Sequence, residues 1–274
     1  MIFCARLGLI SIFLTDPVML EKYIKKLSKL RTDKNRKKWS ALTCHQAPHK
    51  PFLLFSVLDL VAEGTVQKNF IAPSLDLVET FNGYWLSIMP PGTKGNMAYP
   101  FPRLKTDGFW RLVPNPGYER KIDMEFSSMT RLRDVCAGAV LDEELFSLML
   151  NPESREILRS TLINTYFAPE IRPRLLEQGS VNIIAHEYSE KLLTGVQEPP
   201  VPWEEAEGPE KAGRIRDQGF RKAIVTLYDH RCALCGIRMI TPEDHTVVEA
   251  AHIKPWRESL VLSGSPMICE LRNV

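Results

Sequence analysis

Six cysteines in 274 residues, at Cys4, Cys44, Cys136, Cys232, Cys235 and Cys269, are too few and too scattered to staple a chain of this size. The one close pair has the spacing of metal ligands, so a reducing cytoplasm fits better than secretion. Long apolar runs are also missing. Residues 1–14, MIFCARLGLISIFL, fall short of the roughly 20 residues a helix needs to span a bilayer, and they carry no small-residue cleavage pattern. No membrane partner is expected. Nor is one sign of charge in excess: 35 Lys and Arg stand against 33 Asp and Glu, a formal net charge of +2. Bulk charge therefore announces no polyanionic partner, and its distribution has to be read instead. Internal repeats and low-complexity segments are absent, which excludes solenoid architectures.

With 44% hydrophobic residues the chain can bury a substantial core, as one large or two ordinary domains. Met19 opens the sequence MLEKYIKKLSKLR, and residues 1–18 are expected to be an extension that is not native. Leu20, Ile24, Leu27 and Leu30 recur at helical spacing while lysines fill the other faces. Between Lys22 and Lys38 nine Lys and Arg residues meet one acid, Asp33. The basic helix runs into a basic turn, RTDKNRKKW, which reads either as a solvated face or as a phosphate-contacting surface. Residues 47–64 predict a buried helix, marked by Pro48 and Pro51 at its start and Gly64 at its end. A helix over 81–89 leads into a loop, PPGTKGNMAYPFPRL, and Asp107-Gly108 predicts a turn between two short extended runs. Residues 129–167 read as helices throughout, one of them starting at Pro152. A Pro- and Glu-rich stretch predicts a linker over 201–213, and the basic helix RIRDQGFRKAIVTLY follows it. The expected units are therefore a first domain over 19–200 and a second over 214–274.

The second unit carries the most specific chemistry. In YDHRCALCGIRMITPEDHTVVEAAHIKPW, the Cys232-Ala-Leu-Cys235-Gly unit predicts a tight turn whose two thiolates suit one tetrahedral zinc, with Gly236 permitting a positive φ. His252 follows in an Ala-Ala-His-Ile-x-Pro setting. Phosphodiester hydrolysis needs a general base, for which an imidazole titrating near neutrality is suited, and a divalent cation to offset charge on the phosphoryl oxygens. Cys269 is a third ligand by position. His230 and His245 read as surface turn residues, and Glu249 falls on the strand face opposite His252.

This segment resembles the opening half of the site in zinc-supported HNH endonucleases. The resemblance implies a ββα-metal module with His252 as catalytic base, structural Zn2+ on Cys232, Cys235 and Cys269, and Mg2+ or Mn2+ as the catalytic ion. Two departures stand out. Ala251 occupies a position where many HNH proteins place a metal ligand, and the Asn and helical His of the second half do not follow Trp256. The module is expected to be incomplete, ending in LVLSGSPMICELRNV.

In the first unit HKPFLLFSVLDL and MAYPFPRLKTDGFWRL resemble the sulfur-binding domains that precede HNH modules in bacterial restriction enzymes acting on phosphorothioated DNA. That likeness runs from about Leu20 to Gln178, and with the nuclease segment it takes in nearly the whole chain. It implies that His49 and Lys50 contact the DNA backbone and that Tyr99 and Pro100 shape an apolar pocket for the sulfur. Arg103 stands where that family often has a small residue, and Lys50 where it often has Arg. Arg103 and Lys105, with Lys50, would add salt-dependent phosphate affinity. Trp85, Trp110 and His186 read as core residues.

Together these readings predict an α+β protein of bacterial defence: a mostly helical DNA-reading domain joined to a partial HNH module that cuts double-stranded DNA. A homodimer is left open. The alternatives are a truncated, catalytically inactive DNA-binding protein and a regulatory DNA-binding factor that keeps only the zinc knuckle.

Overall fold

A computed structural model describes residues 17–93, 95–194, 208–241, 246–252 and 267–271, with His252 and 267–271 described in backbone only. The expected extension over 1–18 otherwise lies outside these residues, but Pro17 and Val18 already belong to α1 (Pro17–Leu27), which starts ahead of Met19. The helix buries Tyr23 and Leu27 and stops there, so Leu30 is buried beyond its end rather than on it.

The core is built around α2 (His49–Ala62), in which every residue from Lys50 to Val61 is buried. A helix apolar on all sides can only run through the middle of a domain. Packed against it are α3 (Leu75–Ile88), α6 (Glu143–Leu150), α7 (Pro152–Tyr166) and α8 (Arg172–Leu193). Local chemistry sets their starts: Ser74 accepts from the Leu77 amide at 3.2 Å, and Asn151 accepts from the Ser154 amide at 3.1 Å, with Pro152 in the first turn. Four elements are tied by one buried polar network. Asp59 on α2 accepts from Arg159 Nη2 (2.7 Å), Tyr84 Oη (2.8 Å) and Asn182 Nδ2 (2.7 Å), satisfying a carboxylate that has no access to water.

Two stretches depart from the sequence reading. The loop expected through PPGTKGNMAYPFPRL closes into α4 (Pro100–Arg103), because Pro100 and Pro102 both fall in a first turn, where a missing N–H removes no helical bond. It continues as a 3-10 turn over Leu104–Asp107, so the Asp107-Gly108 turn has a helical rather than an extended run before it. After α5 (Met129–Val135), residues Cys136–Leu141 are strand β2, not helix. This strand pairs antiparallel with β1 (Trp110–Pro114), Trp110 opposite Leu141, and bridges to Ile71 through Ala139. Sheet pairing on both edges overrides the helix preference of its alanines.

The linker expected over 201–213 is helical from Pro209, where α9 (Pro209–Leu227) begins with proline in its first turn. Residues 195–207 lie outside the described structure. α9 packs along α8, and a second apolar cluster joins Tyr188 of α8 to Phe220, Ile224 and Val225 of α9 and to Cys232 and Val248. Strands β3 (Val248–His252) and β4 (Met267–Leu271) form an antiparallel pair with His252 opposite Met267. The chain is thus mostly helical with small antiparallel sheets, as expected. No helix among the described residues is long and apolar enough to cross a membrane.

Candidate nucleic-acid interface

The two residues that open α2 leave it in different directions. His49 projects between two indoles, with centroids 5.4 Å from Trp39 and 4.7 Å from Trp85. Burial in this aromatic slot, reinforced by the positive charges of Lys38 and Arg103, drives its pKa down to about 4, and Asp33 opposes this only weakly. At neutral pH the ring is therefore an uncharged donor and acceptor, still partly open to solvent.

Lys50 turns inward. Its ammonium donates to Asp107 Oδ2 at 2.6 Å and to Thr106 Oγ1 at 3.3 Å, and both charged side chains are almost wholly buried. Burial pushes the ammonium below the ordinary lysine range despite the pull of Asp107. Lys50, which the resemblance implies as a backbone contact, is held here in a buried ion pair. It is a strut that holds the 3-10 turn, and with it α4, against α2.

α4 presents one open aromatic face. Phe101 is buried edge-on to Trp110 at 5.1 Å, and Pro100 and Pro102 pack inward, while Tyr99 is 43% exposed. Over the Tyr99 ring lies the Arg103 guanidinium, 5.5 Å from its centroid. Arg103 also donates to the Tyr99 carbonyl at 3.2 Å and to Glu125 Oε1 at 2.7 Å. Lys105 pairs with Asp123. Asn96 fixes the approach to α4: its side-chain oxygen accepts from the Ala98 amide at 2.9 Å, and its amide donates to the Ser127 carbonyl at 3.1 Å. His49, Tyr99, Pro100, Arg103 and Lys105 thus surround the junction of α2 and α4. Sequence reasoning did not assign the pair of tryptophans that brackets His49, nor the two acids, Asp107 and Glu125, that claim Lys50 and Arg103.

The other predicted group belongs to the C-terminal hairpin. Cys232 and Cys235 form the expected turn: the Gly236 amide donates to the Cys232 carbonyl at 2.8 Å, and Gly236 has φ 70°. Cys232 is buried and Cys235 exposed. The Cys269 backbone lies opposite Ala250, and His252 ends β3, their side chains lying outside the described residues. His245 also falls outside them. Among the described residues no three His, Cys, Asp or Glu side chains converge as a metal site, and Cys232 and Cys235 supply two of the four ligands that zinc needs.

A family model described as ScoMcrA-like, DNA sulfur-binding domain matches residues 20–182, well over half the chain. Among solved structures, the sulfur binding domain of SprMcrA complexed with phosphorothioated DNA is 20% identical, with a TM-score of 0.43, over 59% of this chain and 93% of that one. None of the curated proteins compared matches.

Proposed function

Because this chain belongs to the ScoMcrA-like DNA sulfur-binding domain family, we propose that the α2–α4 face binds the backbone of double-stranded DNA and favours a phosphorothioate linkage over an ordinary one. The observation that carries this reading is the exposed Tyr99 ring lying under the Arg103 guanidinium. Sulfur in place of a non-bridging oxygen is larger, more polarisable and less well hydrated, so the exposed Tyr99 face accepts it with a smaller desolvation penalty. A guanidinium, itself weakly hydrated and planar, suits a diffuse anion better than an ammonium does. The Arg103–Glu125 pair is exposed, with Glu125 at 87%, so it contributes little and an incoming phosphate can replace it. Neutral His49, beside Arg103, offers a hydrogen bond without demanding full charge compensation.

The test is equilibrium binding of the full chain to duplexes of one sequence, with and without a single phosphorothioate. The modified duplex should bind more tightly, and Tyr99→Ala should bring the two affinities together. Arg103→Ala should weaken both by about ten- to a hundredfold, the range of a charge-assisted hydrogen bond. Equal wild-type affinities would remove the sulfur reading.

A second reading, an HNH-type nuclease with His252 as base and Mg2+ or Mn2+ as the catalytic ion, is supported by the packing of the Cys232 turn and β3 in one cluster and the pairing of β3 with β4. Incubation with supercoiled plasmid and either ion checks it. Nicking that His252→Ala abolishes supports the enzyme, whereas binding without nicking leaves a DNA-binding protein.

A further inference from the structure

Residues 29–38 form a strongly unbalanced basic surface. Lys29, Arg31, Lys34, Arg36, Lys37 and Lys38 are all exposed, and none of the first five has an acidic partner among the described residues. Lysines on neighbouring α1 behave differently: Lys22 pairs with Glu144, Lys25 with Glu21 and Lys26 with Asp142. The single acid of the segment is used up internally. Asp33 accepts from Trp39 Nε1 and from the Asn35 amide, each at 3.0 Å, and these bonds hold its carboxyl below the ordinary range.

The segment is also fixed in shape. The Arg31 amide donates to Asp107 at 2.8 Å, Thr32 to Gln46 at 2.8 Å, and the Ala47 amide to the Asp33 carbonyl at 2.8 Å. A turn closes on Asn35, whose carbonyl accepts from the Lys38 and Trp39 amides. Like charges crowded on a pinned loop repel one another, a cost that a polyanion relieves. Its position identifies that polyanion. Trp39, at the end of the loop, packs its ring 5.4 Å from His49, and the Arg31 amide donates to Asp107 in the 3-10 turn that follows α4, so the loop borders the Tyr99 face.

We propose that residues 29–38 are a second, sequence-independent DNA contact, a preformed basic arm gripping phosphates that flank the linkage met by Tyr99 and Arg103. The proposal rests on the DNA-backbone reading above but not on sulfur preference. It is tested with full-length Lys34→Gln/Arg36→Gln/Lys37→Gln, titrated against phosphorothioated and ordinary duplexes between 50 and 200 mM salt. Each phosphate that the arm no longer holds should flatten the salt slope by about 0.9, so wild-type affinity should fall about 40-fold more than the variant's over that range. The ratio of the two affinities should stay the same. The charge-reversed Lys34→Glu/Arg36→Glu/Lys37→Glu should weaken binding further, and thermal melts of both variants should be no lower than wild type, because these side chains are exposed and their mutual repulsion is relieved.

A folded variant with an unchanged salt slope overturns the arm while leaving the sulfur reading intact. A flattened slope without any preference for phosphorothioate supports the arm and removes the sulfur reading. Absence of duplex binding by wild type removes both.

Discussion

Lys50 and Arg103 carry the same charge at one junction but should respond to mutation in opposite ways. Lys50→Met strands Asp107 in a site where its carboxylate is almost inaccessible, and removing one partner of such a pair costs about 3 kcal/mol. Thermal unfolding should show that destabilisation, while the ratio of affinities for modified and ordinary duplex, measured below the melting range, stays unchanged. Arg103→Ala should do the reverse, because its partner Glu125 is solvated and its own side chain is 43% exposed. A Lys50→Met protein of wild-type stability would contradict the strut. The family resemblance singled out His49, Lys50, Tyr99, Pro100 and Arg103, which the fold gathers at the junction of α2 and α4. What it could not disclose was direction. Successive helical residues diverge by about 100°, so His49 and Lys50 leave α2 in different directions, and the inward turn of Lys50 depends on Asp107, far along the chain.

Elements were legible where their signals were local. Continuous apolar residues marked α2, and proline marked the start of α7. Strand β2 was not legible, since its reasons lie in other parts of the chain: β1 on one side, Ile71 on the other. Gly138 shows how tight that second edge is. A Cβ there would lie 2.5 Å from Phe70 Cζ and 2.8 Å from the Ile71 carbonyl oxygen, the latter being backbone that cannot swing aside. Gly138→Val should therefore destabilise by roughly 1–3 kcal/mol through overpacking, although valine favours strands in general. Stabilisation in a denaturant titration would show that the edge has room.

The Asp59–Arg159 network makes a similar point for the helices. Arg159→Met leaves a buried carboxylate without its cation and should cost about 3–5 kcal/mol, whereas Asp59→Leu/Arg159→Met, which removes both charges, should recover much of that. A double variant no more stable than the single one would mean that Tyr84 and Asn182 depend on the carboxylate as much as Arg159 does.

At the scale of the whole molecule, the sequence marked a second unit but not its attachment. The family match ends at residue 182, within α8, whose remaining turns carry α9 and the hairpin. At this joint the side chain of Glu63, the residue that caps α2, is buried, accepts from Lys222 of α9 at 3.3 Å and lies 3.6 Å from His186 of α8. Burial raises its pKa to about 7, against the pull of Lys222 and with help from Asp59 and Asp76. A carboxyl raised in this way contributes stability that is lost as pH climbs from about 4.5 through 7.

His49 has the opposite sign. Its folded pKa near 4 lies below the ordinary 6.5, so stability is lost as pH falls between those values. His186, also lowered by burial and by Lys222, adds to that acid-side loss. Between pH 5 and 7 the Glu63 and His49 contributions each change by about 2 kcal/mol in opposite directions, so the melting temperature of the wild type should be nearly level there. Each substitution should expose the other slope. In His49→Gln the melting temperature should fall as pH rises from 5 to 7, through Glu63 and offset in part by His186, and in Glu63→Gln it should fall by about 5 °C or more as pH drops from 7 to 5, through His49 and His186. Parallel curves for the two variants would show that these groups do not set the pH response. Crossed curves would mean that the level wild-type profile comes from two opposed titrations, one at the aromatic slot of His49 and one at the joint with the C-terminal unit.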